Sequence, residues 1–386
     1  MESVNEDLSF DAIRPFYDQE VAPAMQRLLS EKSFYTALNY IFPEVPEEEL
    51  IKKLNQIHSI QQFQKEIIAP AVYSVVESST KGLSISGLEN LNREKAYLLI
   101  SNHRDIVLDS AFLNVKLFSN DFPTTRIAIG SNLLQRPWIE DLVRMNKNFI
   151  VHRDVHSRQA YIYSMRLSGY IRHSLLNENT SVWIAQKEGR TKDGNDRTQA
   201  GLLKMFGMNS ETEDMVEAYH SLNIAPVSLS YEIEPCGGMK AYEKYITSLK
   251  GEYQKAPAED LISMQNGISK QKGRVHFEFS APLNKSQIEE AFSSGKKNES
   301  VKNLAEIIDQ VIISNYKLFP FNFVAYDMLN KTNRFIDQYS DENINQFNRV
   351  CKSELMEYGA EAEAILPYLL NIYANPVLNK IKRDLI

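Results

Sequence analysis

The sequence predicts an α/β fold, a mixed sheet flanked by helices, with a helical region on each side of it in the chain. Between about residues 83 and 283, short apolar runs bounded by polar or turn residues alternate with longer amphipathic segments, as strands alternate with helices in α/β proteins. Before and after this part, apolar residues recur at helical spacing. We therefore expect a helical N-terminal region at residues 1–80, an α/β domain at 81–285 and a helical C-terminal region at 286–386.

The N-terminal region is predicted to be helical because Val21, Met25 and Leu28 share one face of a helix. Pro43 and Pro46 then indicate a break between helices. In the middle part the predicted strands are the apolar runs at residues 97–100, 126–129, 182–185, 224–229 and 275–279.

The C-terminal region begins with a long predicted helix, on which Ile308 and Ile312 share one face. An aromatic segment follows at residues 318–323. Two interpretations of this segment stay open: an apolar surface that contacts lipid, or helix packing in the core.

The composition is that of an ordinary globular protein and excludes several classes. With 43% hydrophobic, 10% aromatic and 24% charged residues, the chain is neither fibrous nor disordered. A formal net charge of −7 gives no electrostatic reason to bind nucleic acid, so an anionic ligand must meet a local basic site. The two cysteines fit neither a disulfide scaffold nor a zinc site, so we expect a reducing compartment and no metal.

The first twenty residues contain no basic stretch followed by an apolar run, and no run of about 18 apolar residues occurs later. We therefore expect a cytoplasmic protein without a membrane-spanning helix. Peripheral contact with the inner face of a membrane stays open, because such contact needs no spanning helix.

The most informative segment is residues 101–109, which follow an apolar strand and lead into a predicted helix. His103 then lies at a strand-to-helix turn, where α/β sheets expose reactive side chains. A nearby carboxylate, Asp105 or Asp109, can fix one tautomer of the imidazole and leave its other nitrogen as a base. The alternative is that Asn102 or Asp105 caps the helix and His103 is an ordinary surface residue.

Two further segments carry cations where strands end. Residues 186–194 include Glu188, Gly189, Arg190 and Lys192, and a guanidinium beside backbone amides freed by a glycine suits a phosphate group. The alternative is a solvated turn. Arg153 follows another short apolar run, and it is either a second phosphate ligand or one half of a surface ion pair.

Together these segments resemble, in their order along the chain, the glycerophospholipid acyltransferase family, which includes the glycerol-3-phosphate and lysophosphatidate acyltransferases. His103 and Asp109 resemble the first block of the family, although five residues separate them here instead of four. Residues 149–153 resemble the second block, which ends in an arginine. The third block is resembled by residues 188–190 and by a Gly-Leu-Leu segment at 201–203. Here Arg190 follows Gly189 directly, whereas the family has one residue between them. Residues 225–228, with their proline, resemble the fourth.

The resemblance implies a glycerol-3-phosphate acyltransferase-like fold and transfer of a fatty acyl group to a hydroxyl of glycerol-3-phosphate or a lysophospholipid. The donor is an acyl thioester of coenzyme A or acyl carrier protein, used as a co-substrate without a further cofactor. His103 is implied as the base, with Asp109 or else Asp105 as its partner. The implied binding residues for the lipid acceptor are Arg153, Glu188, Gly189, Arg190 and Lys192.

Other functions use the same residues differently. The enzyme alternative is O-acylation of another lyso-lipid, such as an acylated amino acid, with the same base and a different head-group site. The non-enzyme alternative is a lipid-binding protein that keeps the pocket and has no activity. Hydrolysis of the thioester by water is a lesser alternative.

Overall fold

The computed structural model describes residues 9–153 and 157–386, and these form a seven-stranded sheet flanked by helices. The predicted mixed α/β sheet is thereby confirmed. The strands are β1 (Leu83–Ser86), β2 (Leu98–Ser101), β3 (Arg126–Gly130), β4 (Asn148–Val151), β5 (Val182–Ala185), β6 (Ile224–Tyr231) and β7 (Val275–Phe279). Every residue of β2 and β6 is buried, and their side chains are apolar apart from the serines Ser101, Ser228 and Ser230.

The strands lie side by side in the order β1-β7-β6-β2-β5-β3-β4. All neighbours are parallel except β6 and β7, which are antiparallel. The carboxyl ends of β2, β3, β4, β5 and β6 therefore lie at one edge of the sheet. In open sheets of this kind the loops at that edge form the ligand site.

The N-terminal helices pack beside this sheet. They are α1 (Asp18–Leu29), α2 (Lys32–Ile41), α3 (Glu47–Leu54), α4 (Ile60–Phe63) and α5 (Ala69–Ser79). Val21, Met25 and Leu28 are buried on α1, as their spacing predicts. The predicted break lies between α2 and α3, where Pro46 directly precedes a first turn of three glutamates that favours the start of a helix.

Helices on both faces of the sheet enclose its two core layers. The helices in the middle part of the chain are α6 (Leu108–Phe118), α7 (Pro137–Met145), α8 (Ser157–Arg172), α9 (Ala200–Phe206), α10 (Met215–His220), α11 (Gly237–Lys250) and α12 (Glu259–Ser269). On one face, Leu99 and Phe277 of the sheet pack with Phe112 of α6. On the other face, Ile100 packs in a layer with Tyr170 of α8. The strands must be apolar on both sides because both sides are covered.

The C-terminal helices are α13 (Lys285–Phe292), α14 (Lys297–Asn315), α15 (Pro320–Asn330), α16 (Asp341–Leu355) and α17 (Ala362–Ile381). Phe319 and Phe321 of the aromatic segment are only 2% and 3% exposed, and Phe321 packs against Phe347 with 5.2 Å between ring centroids. The core interpretation of this segment is therefore right, and the lipid-contact interpretation of it is wrong. Within the described residues, no helix is both long and apolar enough to cross a bilayer.

Candidate active site

His103 lies in the loop between β2 and α6, at the edge where the parallel strands end. Asn102 fixes the start of this loop, because its side chain exchanges two hydrogen bonds of 2.8 Å with the backbone of Leu229 in β6. The imidazole packs edge-on against Trp183 of β5, with 5.8 Å between centroids. Its side chain is 15% exposed, so the ring is held by two strands but still reaches solvent.

The carboxylate of Asp109 holds one nitrogen of this ring. Its Oδ2 lies 2.7 Å from Nδ1 of His103. Asp109 is fully buried in the first turn of α6, and Oδ2 also accepts hydrogen bonds from the backbone amides of Arg104 (2.6 Å) and Asp105 (3.0 Å). If Nδ1 donates to this carboxylate, Nε2 remains as the nitrogen that can take a proton.

Asp105 has different surroundings. Its Oδ1 accepts hydrogen bonds from the backbone amides of Val107 (2.9 Å) and Leu108 (2.8 Å), which caps the start of α6. Its Oδ2 faces Gly267 of α12 and has no hydrogen-bond partner among the described residues. Burial, and next the charge of Asp109, raises the pKa of the Asp105 carboxyl. Asp109 therefore contacts the His103 ring. Asp105 instead caps the helix, which is the role that the alternative interpretation of the sequence gave it.

The loop after β5 lies against the loop of His103. The amide of Thr191 donates a 2.9 Å hydrogen bond to the carbonyl oxygen of His103, and the Thr191 hydroxyl donates to Asp196 at 2.6 Å. Gly189 has a φ of +70°, a conformation that side chains disfavour, and it lets the loop turn sharply between Glu188 and Arg190.

Arg190 and Lys192 are the cations of this loop, and they differ in their partners. The Arg190 side chain belongs to a residue only 8% exposed, and its Nη1 is buried without a hydrogen-bond partner among the described residues. Lys192 forms an ion pair with Glu243 of α11. Burial, and next the charge of Arg190, lowers the pKa of Lys192 to about 8. Arg190 is thus the cation with an unused donor.

Arg153 follows β4 and forms an ion pair with Glu188, with 2.6 Å between Nη1 and Oε1. The two side chains are 30% and 65% exposed, which matches the surface ion pair that the sequence left open. This pair joins the loops after β4 and β5, and Thr191 joins the loops after β5 and β2. The predicted site residues therefore lie in three connected loops at one edge of the sheet.

The sequence interpretation missed a buried ionic network beneath His103. Arg104 is 0% exposed and contacts Asp196 at 2.5 Å and Glu234 at 3.5 Å. Lys240 donates to the carbonyl oxygen of Arg104 at 2.6 Å and to Glu234 at 2.7 Å. It also missed Tyr231, whose hydroxyl donates to Oδ1 of Asp109 at 2.9 Å. The one signal for Tyr231 was its place two residues after the end of a predicted strand.

Residues 82–230 match the protein family described as Acyltransferase. This part of the chain is similar to acyltransferase domains. The match confirms the family resemblance of the four segments, and with it the predicted enzyme class. No curated protein sequence matches the chain. Among solved structures, it is similar to the 1-acyl-sn-glycerophosphate (LPA) acyltransferase PlsC from Thermotoga maritima, with 13% identity and a TM-score of 0.35 over 76% of this chain and 91% of that one.

The matched residues contain β1 and β2 through almost all of β6, and therefore His103, Asp109, Arg153 and Arg190. The polypeptide after residue 230 completes the surroundings of these residues. Glu234 and Lys240 bind Arg104, and the Asn375 side chain of α17 donates to the carbonyl oxygen of Asp193 at 2.6 Å. The C-terminal helices thus support the loop that carries Arg190.

Proposed function

We propose that the protein transfers a fatty acyl group from a thioester of coenzyme A or acyl carrier protein to a hydroxyl of a phosphorylated glycerolipid acceptor. One observation carries the proposal. The partly exposed His103 is hydrogen-bonded through Nδ1 to the buried Asp109, and its loop is hydrogen-bonded to the loop of Arg190. Arg190 is a buried cation with an unused donor.

The imidazole is the proposed general base. Nε2 of His103 takes the proton of the acceptor hydroxyl while the oxygen forms a bond to the thioester carbon. The resulting imidazolium is stabilised by the carboxylate of Asp109, which keeps the ring in one orientation. When the tetrahedral intermediate collapses, the carbon–sulfur bond breaks and the thiolate leaves as a thiol with the proton from the imidazolium. The products are an ester and a free thiol, and no acyl-enzyme forms.

The proposed phosphate ligand is Arg190. A buried guanidinium with an unpaired N–H group favours an anionic ligand, because the ligand supplies the missing acceptor and a negative charge. Arg153 also has an unpaired donor, Nε, but it ranks second because its side chain is 30% exposed and its Nη1 is paired with Glu188. Lys192 and the backbone beside Gly189 complete the cationic side of the proposed pocket. Binding the phosphate there places the acceptor hydroxyl beside His103, a positional effect that can reach about 7–11 kcal/mol for ideal alignment.

Product analysis by mass spectrometry tests this proposal. The purified protein is mixed with an acyl thioester and a panel of acceptors with and without phosphate, including glycerol-3-phosphate, lysophospholipids and an acylated amino acid. We expect acyl esters of the phosphorylated acceptors. Esters of the phosphate-free acceptors alone would contradict the phosphate site, and release of free fatty acid alone would indicate a thioesterase. The absence of any product with every donor and acceptor would favour a lipid-binding protein.

A further inference from the structure

Asp109 uses both of its carboxylate oxygens, and only one of them faces His103. Oδ2 accepts hydrogen bonds from the ring and from the backbone amides of Arg104 and Asp105. Oδ1 accepts a hydrogen bond from the hydroxyl of Tyr231, and this is its one hydrogen-bond donor in the described part of the chain. Asp109 is 0% exposed, so in this protein environment Oδ1 depends on that hydroxyl for its partner.

The sheet register explains how Tyr231 reaches Asp109. Ser101, the last residue of β2, pairs with Val227, so β6 continues past the end of β2 as far as Tyr231. β7 supports this extension, because Tyr231 pairs with Val275. Alternate residues of a strand share a face. Tyr231 therefore points to the same side as the three core residues of β6 beneath α6, which are Ala225, Val227 and Leu229.

The position of the Tyr231 hydroxyl is closely defined. The ring is 1% exposed, and the Asn102 side chain clamps the strand two residues earlier, at Leu229. Burial, and next the charge of Asp109, raises the pKa of the Tyr231 hydroxyl well above its ordinary value. The hydroxyl therefore keeps its proton and remains a donor to Oδ1 at any pH near neutrality.

We propose that Tyr231 is a positioning residue for acyl transfer: its hydroxyl holds the Asp109 carboxylate so that Oδ2 stays on Nδ1 of His103 while the imidazolium forms. The inference rests on the proposed function. Without the hydroxyl, Oδ1 is a buried acceptor without a partner, and rotation of the carboxylate toward other donors weakens its contact with the ring. The loss acts on the charged transition state and leaves acceptor binding unchanged.

Tyr219 provides a matched control, because it separates this role from the ordinary stabilising effect of a buried hydroxyl. It is 0% exposed, and its hydroxyl donates to the carbonyl oxygen of Leu203 at 2.7 Å. Its hydrogen bond joins α10 to α9 and involves no residue of the loop of His103. Tyr231→Phe and Tyr219→Phe therefore remove the same group from the same kind of site.

The experiment compares kcat, the KM of the acceptor and the thermal unfolding of the wild type, Tyr231→Phe, Tyr219→Phe and His103→Ala. We expect kcat of Tyr231→Phe to fall roughly 10- to 100-fold with an unchanged KM, the size of a lost hydrogen bond to a charged group. Tyr219→Phe should keep its kcat and lose a similar amount of thermal stability.

Equal kcat values for the two tyrosine variants would overturn the positioning role, and so would a fall in Tyr231→Phe that appears as a raised KM alone. The His103→Ala variant tests the proposed function separately. If it is inactive while Tyr231→Phe is unimpaired, only the role of Tyr231 fails. If it retains turnover, the proposed function fails and this inference fails with it.

Discussion

Asp105 and Asp109 lie close together in the sequence but have separate roles in the structure. Oδ2 of Asp109 is hydrogen-bonded to the His103 ring and to two backbone amides, whereas Oδ1 of Asp105 accepts hydrogen bonds from two backbone amides at the start of α6. A carboxylate that faces an imidazole stabilises the imidazolium, and one that caps a helix stabilises the helix. We therefore expect the two side chains to differ in what they contribute to activity.

Substitution by the isosteric amide tests this difference. We expect Asp109→Asn to lower kcat roughly 10³- to 10⁴-fold, because the amide favours the wrong tautomer of His103 and carries no charge. Asp105→Asn should cost about tenfold or less, since its amide oxygen still accepts the two backbone hydrogen bonds. Steady-state kinetics on both variants, with circular dichroism as the control for folding, measures the contrast. A larger loss of kcat for Asp105→Asn than for Asp109→Asn would assign the orientation of His103 to Asp105.

The two candidate phosphate ligands make a second contrast at this scale. Arg190→Ala should raise the KM of a phosphorylated acceptor roughly 10- to 100-fold, because it removes a buried charge-assisted donor. Arg153→Ala should raise it about fivefold or less, because Arg153 is already paired with Glu188 at the surface. Initial rates over a range of acceptor concentrations distinguish the two. A KM that rises only in Arg153→Ala would show that Arg153, rather than Arg190, is the main phosphate ligand.

Single residues were predictable where the signal was local. His103 and its carboxylates lie in one short segment, and the cations of the β5 loop directly follow an apolar run. The choice between Asp105 and Asp109 depends on backbone hydrogen bonds that residue spacing does not specify. The partners of Arg104 are 92 and 130 residues away in sequence, so nothing near it indicated that this arginine is buried.

At the scale of elements, the loop between β5 and α9 is anchored on α14 by Asp309. Its Oδ1 accepts hydrogen bonds from the backbone amide of Thr198 at 2.7 Å and from the Thr198 hydroxyl at 2.6 Å. Burial raises the pKa of Asp309 from 3.8 to about 6, because ionising this carboxyl inside the protein is costly. The folded state therefore binds this proton more tightly than the unfolded chain does.

This pKa gives a pH dependence with a definite sign. The contribution of Asp309 to the free energy of unfolding is fully present below pH 3.8 and is lost as the pH rises through about 6. Asp309→Asn cannot ionise, so its stability relative to the wild type should increase between pH 4 and pH 7 by up to about 3 kcal/mol. Urea unfolding at several pH values measures this. A difference between the proteins that stays constant with pH would contradict the raised pKa.

The contact between the β5 loop and α17 involves Gly194. It has a φ of +73°, and a Cβ at this position would overlap the carbonyl oxygen of Ile372. Gly251, at the end of α11, has a φ of +83°, but a Cβ there would have no neighbouring atom within 4 Å. The two glycines share the same backbone strain on substitution, and they differ in the steric conflict with α17.

Alanine at each of these positions separates strain from steric conflict. Gly251→Ala should lose about 1–2 kcal/mol of stability and keep its activity. Gly194→Ala should lose about 1–3 kcal/mol more, and its acyl transfer should slow because the loop of Arg190 shifts. Thermal unfolding and initial rates on both variants test this. Equal stability and equal activity would show that α17 does not support the loop.

The elements themselves were largely predictable, and their arrangement was not. The apolar runs of β2, β5, β6 and β7 lie where the sequence predicts strands, because these strands are covered on both faces. The antiparallel direction of β7 depends on the connection through α11 and α12, which apolar patterns do not specify. For the same reason, the burial of residues 318–323 between C-terminal helices was one of two open interpretations.

At the scale of the whole molecule, an acidic protein presents a cationic loop at one edge of its sheet. The formal net charge is −7, so the proposed binding of an anionic acceptor relies on the local field near Arg190 rather than on overall attraction. The parallel strands bring the loops after β2, β5 and β4 to this edge, and β2 and β5 are neighbours. The proposed base and the proposed phosphate ligand follow adjacent strands as a direct consequence of the strand order.

The most direct test of the account is the rate of acyl transfer by His103→Ala. Acyl ester formation from an acyl thioester and a phosphorylated acceptor is followed by mass spectrometry, and acceptor binding is measured by calorimetry. We predict a rate at least about 100-fold lower than that of the wild type, the typical contribution of general-base catalysis, with acceptor binding retained. Ester formation at the wild-type rate by a folded His103→Ala protein would contradict the account.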